Sequence, residues 1–217
     1  MAKLYVGKQA GDYAELSEAV NVANDGDTIY MRAGVYADDP VTINDDLSIV
    51  GVGGRAHLTA TRSISNGKAL IISNADLHIE NLEFSGATVK DQNGAGIRQQ
   101  YGDLTIQSSY FHDNEDGILG HDSAGRTIIR DSEFARNGAG DGKSHGIDIN
   151  NSDYLEVTNS YFHDTDEGHL IKSRAAETVI KGNVLDDGKA DTSYSIDLPE
   201  GGKVFLVVVG GDGDEFG

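Results

Sequence analysis

The hexapeptide Ser109-Tyr110-Phe111-His112-Asp113-Asn114 returns almost unchanged as Ser160-Tyr161-Phe162-His163-Asp164-Thr165, 51 residues further on. Self-similarity on this scale marks a chain built of stacked units, and it restricts the fold more than any other feature. Each copy follows a short alternating segment, Leu104-Thr105-Ile106 or Leu155-Glu156-Val157, which puts an aliphatic residue five positions before the phenylalanine. The same step recurs as Ile79 to Phe84, Ile129 to Phe134 and Ile180 to Leu185, so that registers align at intervals of 27, 23, 28 and 23 residues. Period-two alternation between Gly-, Asn- and Asp-rich corners predicts coils of short parallel strands. Ile, Val, Leu and Phe should then fill a narrow core and stack on their equivalents one coil away. Phe84, Phe111, Phe134, Phe162 and Leu185 form one such predicted internal column.

A chain of 217 residues with no break in composition predicts one domain, taken here as residues 1–209, followed by an acidic Gly-rich tail at 210–217. The 28 glycines suit many tight corners, and the absence of Cys excludes disulfides and thiolate metal sites. A formal charge of −19 opposes binding to phosphate backbones, so nucleic acid is not an expected partner. The longest apolar run, Val204 to Val209, is far below the ~20 residues that span a bilayer, and no membrane partner is expected. The segment Met1 to Val6 enters strand-like sequence directly, without the pattern of a signal peptide.

Residues 13–24 place Leu16, Ala19, Val20 and Ala23 at helical spacing, with Asp12 as the expected cap and Gly26 beyond the end. Gly26-Asp27-Thr28-Ile29-Tyr30 and Ala33-Gly34-Val35-Tyr36 follow. This succession resembles the entry to the right-handed parallel β-helix proteins of the pectate lyase-like superfamily, and the repeats extend the resemblance from Leu4 to Val209. It implies an all-β right-handed parallel β-helix of about seven coils whose open end is capped by the helix at 13–24. It also implies an extracellular or cell-surface setting. The superfamily spans lyases, hydrolases, epimerases, phage spikes and non-catalytic surface proteins, so the fold does not select an activity. Its enzyme signatures are missing: the Trp-containing Asp-His segment of pectate lyases is impossible without Trp, and the Tyr-Gly-Phe-Asp-Pro-His block of alginate epimerases is absent. The Asn-Thr-Asp and Asp-Asp pairs of polygalacturonases are not placed on the right face. The coils are more similar to bacterial β-helix repeat proteins.

The longer intervals carry Gly-, Asn- and Asp-rich insertions, Ala87–Gly94 and Arg136–Ser144. On a solenoid these wall a binding face or are plain surface variation. A second column begins each coil: Gly96-Ile97-Arg98, Gly117-Ile118-Leu119, Gly146-Ile147-Asp148, Gly168-His169-Leu170 and Ser195-Ile196-Asp197. If the isoleucines point inward, Arg98, Asp148 and Asp197 point outward, and Gln100, His121, Asn150 and Lys172 form the next outward column with Arg174 beyond. Cations and carboxylates on one strand face suit an acidic polysaccharide. Lys172 or Arg174 would take a C5 proton, His145, His169 or His121 would serve the leaving oxygen, Arg98, His121 and Asn150 would bind substrate, and Asp148 with Asp197 would hold Ca2+ against the uronate charge. The competing reading is a solvated face laced with weak ion pairs. His169 stands where other coils have Ile, which predicts a buried structural role unless a two-residue shift puts Ile171 there. His112 and His163 fall two coils, about 9.6 Å, apart and cannot share an ion, which leaves them as turn residues capping local backbone. The apolar run from Val204 predicts an exposed last coil and, as the alternative function, end-to-end association into oligomers or filaments.

Overall fold

Alternation along each strand forces one set of side chains inward, and parallel pairing then brings each onto its counterpart one coil away. Phe111 pairs with Phe84 and Phe134, Phe134 with Phe162, and Phe162 with Leu185, as the five-residue step predicts. The four rings stack at centroid distances of 4.6, 4.9 and 4.6 Å with interplanar angles of 6°, 4° and 2°. Ile79, Ile106, Ile129, Val157 and Ile180 form a second column in register. The computed structural model describes residues 1–140, 142–186 and 190–207, and it is a right-handed parallel β-helix of about eight turns, where the repeats alone gave about seven. The tail at 210–217, with Val208 and Val209, lies outside the described residues.

Each coil contributes a strand to three sheets. The phenylalanine column belongs to one of them, with strands such as Leu82–Ser85, Tyr110–His112, Glu133–Ala135 and Tyr161–His163. The aliphatic column belongs to its neighbour, and the two run together through the long strands Asp27–Ala37 and Leu47–Thr59. In later coils a residue at positive φ turns the corner between them: Asn81 at 55°, and Ser108, Asp131 and Asn159 at 51°. Asn and Asp tolerate this left-handed region better than bulkier residues do.

The recurring hexapeptide is explained position by position. Its serine joins a buried ladder along the rod: the N–H of Leu82 donates to Ser109 Oγ, that of Ser109 to Ser132 Oγ, and that of Ser132 to Ser160 Oγ, each at 3.2 Å. Its phenylalanine joins the stack, and its aspartate adopts positive φ, 54° at Asp113 and 55° at Asp164. Asn114 begins a second ladder, donating to Asn137 Oδ1 at 3.1 Å while its own Oδ1 accepts from the Ala87 N–H at 3.0 Å. Buried corner backbone is thereby satisfied by side chains. The histidines do not cap backbone as expected. The His112 ring touches Asp113 and Glu83, and the His163 ring touches Asp164 and Glu133, so each binds one carboxylate of its own coil and one of the coil before.

The N-terminal helix is also shorter than expected, Leu16–Val20 rather than 13–24. Asp12 does not cap it, because the Arg32 guanidinium donates to its carboxylate at 2.7 and 3.2 Å. Glu15 takes the cap position, with the Glu18 carboxylate reaching back to its N–H at 3.4 Å. Leu16 and Ala19 are buried against the first coil, so one short turn of helix closes that end. Replacing a ring inside the stack should break both neighbouring contacts. Phe134→Ala is expected to lower stability by ~3–5 kcal/mol in urea unfolding, with Phe134→Leu well below that.

Candidate functional site

The third sheet carries the candidate residues on the strands Ala95–Gln99, Asp116–Gly120, Ile147–Ile149, His169–Ser173 and Tyr194–Asp197. Ile97, Ile118, Ile147, Ile171 and Ile196 are in register and fill its inner face. Ile171, not His169, occupies the inward position of its coil, and the two-residue shift rearranges the outward face. Lys172 now pairs with Asp148 on one side and Asp197 on the other, instead of aligning with His121 and Asn150. Arg174, the next outward residue, takes the place beside Asn150.

The shift brings seven of the expected residues into one contact network. Asp148 Oδ1 accepts from Arg174 Nη1 at 3.3 Å, its Oδ2 lies 3.5 Å from Lys172 Nζ, and Arg174 Nη1 also donates to Asn150 Oδ1 at 3.1 Å. Lys172 Nζ is 2.9 Å from His145 Nε2. The His145 ring, fully buried, stacks on His169 at 4.7 Å, and His169 Nε2 lies 3.2 Å from Asp197 Oδ2. Two of the proposed ligands are not brought together: Lys172 stands between Asp148 and Asp197 in the ladder, a separation of about 9.6 Å, so the pair does not converge on one ion. His121 turns to its own corner, where Nδ1 accepts from the Ser123 N–H at 3.3 Å. Asp148 is buried rather than on an exposed face.

Burial raises the Asp148 pKa above the ordinary carboxylate value even though Lys172 and Arg174 pull it down. Burial lowers that of His169, against the pull of Asp197. The His145 contacts define its tautomer: Nδ1 accepts the backbone N–H of His169 at 3.0 Å, so a neutral ring carries its proton on Nε2. The Nε2 side of the ring then faces Lys172 Nζ at 2.9 Å and Asp148 Oδ2 at 3.8 Å.

Next to this network the insertions Ala87–Gly94 and Arg136–Ser144 rise over the short coil between them and meet where Ser144 Oγ donates to the Gln92 carbonyl at 2.8 Å. They enclose a cleft of about 320 Å³ lined by Asp91, Gln92, Asn93, Arg98, Asp116, Leu119, Lys143, Asp148 and Asn150. Arg98, half-buried on its floor, has its pKa lowered by burial, partly offset by Asp116. Among the described residues, Arg98 Nε and Asn93 Oδ1 are buried and have no hydrogen-bond partner, although buried polar atoms are normally paired. A larger hollow of about 520 Å³ near Gly7 and Val35 offers less chemistry, since its Arg32 is already bound to Asp12. Sequence patterning found Arg98, Asp148 and Asn150 through strand parity but not Asn93, Asp116 or Lys143; the only signal for Asn93 and Lys143 was that their loops were long.

Coil, cleft and outward ion network together define a right-handed β-helix with a lateral site. Residues 49–211 match the family described as right handed beta helix region, and the chain belongs to that family. Among solved structures it is similar to pectate lyase Pel9A, at 15% identity and a TM-score of 0.64 over 89% of this chain and 61% of that one. A pectin methylesterase in complex with a hexasaccharide aligns at 16% identity and a TM-score of 0.58, over 86% of this chain and 66% of its own. The pectin methylesterase from Aspergillus niger aligns at 14% identity and 0.57, over 96% and 91%. The chain thus spans less than two thirds of the first two. Identities this low establish the fold. No curated protein matches the sequence. Among the described residues no helix is long and apolar enough to cross a membrane.

The buried imidazole makes the network sensitive to pH. Since the folded-state pKa of His169 lies below 6.5, the unfolded chain takes up the proton first as pH falls through 6.5. The His169 contribution is therefore complete above that value and is lost towards the lower folded one. Between about pH 7.5 and about pH 5.5, His169→Asn should lose less stability in urea unfolding than the unaltered protein.

Proposed function

We propose that the cleft binds a uronate-containing polysaccharide, with a carboxylate on Arg98, and that Lys172 and Arg174 act on a bound uronate by elimination or C5 epimerisation. The carrying observation is that Arg98 and Asn93, whose buried Nε and Oδ1 have no partner among the described residues, line the same cleft. An unmet guanidinium donor is costly until an anion takes it, and charge-assisted bonds to carboxylates are among the stronger ones. A uronate supplies that carboxylate together with hydroxyl donors for Asn93. Arg98 and Lys172 are three strand spacings apart along the rod, about 14 Å, which favours an oligomeric ligand lying along the axis. The fold-level neighbours support a carbohydrate partner, and with it the extracellular setting, only as analogy.

In elimination, Lys172 in its uncharged form takes the C5 proton on its lone pair, the C5–H electrons form the C4=C5 bond, and the C4–O bond breaks with its oxygen taking a proton from water. His145 orients the amine, and Arg174, already between Asp148 and Asn150, offsets charge developing on the carboxylate. Epimerisation uses the same abstraction with the proton returned to the opposite face. Since Asp148 and Asp197 are not adjacent, Asp91 and Asp116 on the cleft would hold calcium, which would supply positive charge against the uronate. The net charge of −19 opposes a polyanion at long range, so added salt should strengthen rather than weaken binding.

Calorimetric titration with polygalacturonate and with alginate, with and without calcium, tests the cleft. Arg98→Ala should bind at least about tenfold more weakly with no loss of thermal stability, and equal affinity would remove Arg98 from the site. The chemistry is followed by the absorbance of unsaturated uronates and by exchange of the C5 proton in deuterated water. Lys172→Ala/Arg174→Ala should still bind and lose both signals; activity that persists in it would remove those assignments.

A second reading, end-to-end association, has one observation behind it. Val204, Phe205, Leu206 and Val207 of the strand Lys203–Val207 are 38–52% exposed at the end of the described stack. Apolar strand edges of this kind take partners. Mass that rises with concentration in a sizing run supports it, and a monomer throughout removes it.

A further inference from the structure

The phenylalanine sheet has an outer face as well, away from the cleft, and three successive coils place His57, Glu83 and His112 together on it. His57 pairs with Glu83 across the ladder, and Glu83 with Tyr110, two residues before His112. His57 Nδ1 is 3.3 Å and His112 Nε2 is 3.1 Å from the same oxygen, Glu83 Oε1. One ligand atom from each residue lies within 4.8 Å of the others.

The opposite nitrogen of each ring is already committed. His112 Nδ1 is 2.5 Å from Asp113 Oδ2; in the neutral ring with its proton there, the Nε2 lone pair faces Glu83. His57 Nε2 is 2.7 Å from Ser85 Oγ, whose own proton can go to Thr59 Oγ1 at 2.9 Å; the His57 Nδ1 lone pair then also faces Glu83. With both rings in these neutral tautomers, two lone pairs and a carboxylate oxygen converge, an arrangement that a cation completes.

We propose that His57, Glu83 and His112 form a binding site for a divalent transition-metal ion of the zinc class, with the fourth position open to solvent. Three protein ligands of the two-histidine, one-carboxylate kind with one open position suit such an ion. Bonds of about 2.0–2.1 Å in a tetrahedron put ligand atoms about 3.4 Å apart, which both Glu83 contacts already meet, so only the two rings need draw together. Imidazole nitrogen selects against calcium and magnesium, which take oxygen. The outer partners are in place as well: Asp113 orients His112 and is itself held by Arg136 at 2.8 and 2.9 Å, while Ser85 orients His57. The side chains are 14–25% exposed, which leaves an entry path.

The repeat supplies an internal control. His163 contacts Glu133 at 3.3 Å and Asp164 at 2.7 Å in the same arrangement, but the position equivalent to His57 holds Tyr110. That copy has two ligands where the first has three.

The test is titration of chelator-treated protein with zinc chloride, followed by calorimetry and thermal unfolding, with the tetrahedral ligand-field absorption of cobalt as a spectroscopic readout. About one ion per chain should bind and raise the melting temperature, as any ligand of the folded state must. Binding should weaken at least about tenfold in His57→Ala, His57→Gln and His112→Ala, remain in His163→Ala, and give no stabilisation with calcium or magnesium. The metal-free melting temperatures show whether each variant is folded, and His57→Gln keeps the test valid should an alanine variant fail. No binding to the unaltered protein, full binding in a folded His57→Gln variant, or equal loss in His163→Ala would overturn the proposal.

Discussion

Each coil of this protein lies one strand spacing, about 4.8 Å, from the next, and parallel pairing makes every side chain meet the one at the same position in the neighbouring coil. Everything else follows from that constraint. Phenylalanine rings at this spacing lie almost parallel, serine hydroxyls reach the next backbone N–H, and asparagine amides reach one another. Like charges so placed repel, and on the third sheet Asp148, Lys172 and Asp197 alternate in sign, while at one corner Asp25, Asp46, Asp76 and Asp103 stack because each of the first three accepts the backbone N–H of the next. A site on such a surface is a column with chemistry at neighbouring heights rather than a pocket between elements.

The constraint also explains what the sequence discloses. Columns of identical residues are self-evident when repeated, which is why the phenylalanine and isoleucine columns were legible and the class of fold with them. The register of the coil containing His169 was not. A glycine followed by Ile marked the column in three coils, since Gly96 lies against Phe84 and Phe111, and Gly117 against Phe134, leaving no room for a Cβ. In the misread coil Leu170 stands in the glycine column, near where the stack gives way to Leu185, and Gly168 instead lies against Ser144 one coil below. The marker residue had moved by two while its type stayed the same. That slip carried Lys172 and Arg174 to the wrong columns, yet parity survives a shift of two, and both remained on the outward face.

Contacts made by folded loops and rotated rings were beyond reach of periodicity. Nothing in the alternation of residues around 87–94 tells that Asn93 turns into a cleft with Arg98, and the helix expected from residue 13 starts only at Leu16, with Arg32, far along the chain, holding the intended cap at Asp12. The two histidines of the hexapeptide were recognised as a pair but compared with each other, whereas each ring contacts carboxylates in its own coil and the coil before.

The walls and floor of the cleft differ in one respect above all, the number of residues spent on a corner. Intervals of 27 and 28 flank one of 23, and the short corner at Asn114–Asp116 is the floor between two tall neighbours joined by Ser144 and Gln92. The strands beneath are continuous through all three coils, so the depth of the recess is written in chain length and leaves the packed interior unaltered. A lineage of such proteins could reshape what it grips by lengthening or trimming corners, much as a lock is recut by filing its pins while the cylinder stays the same.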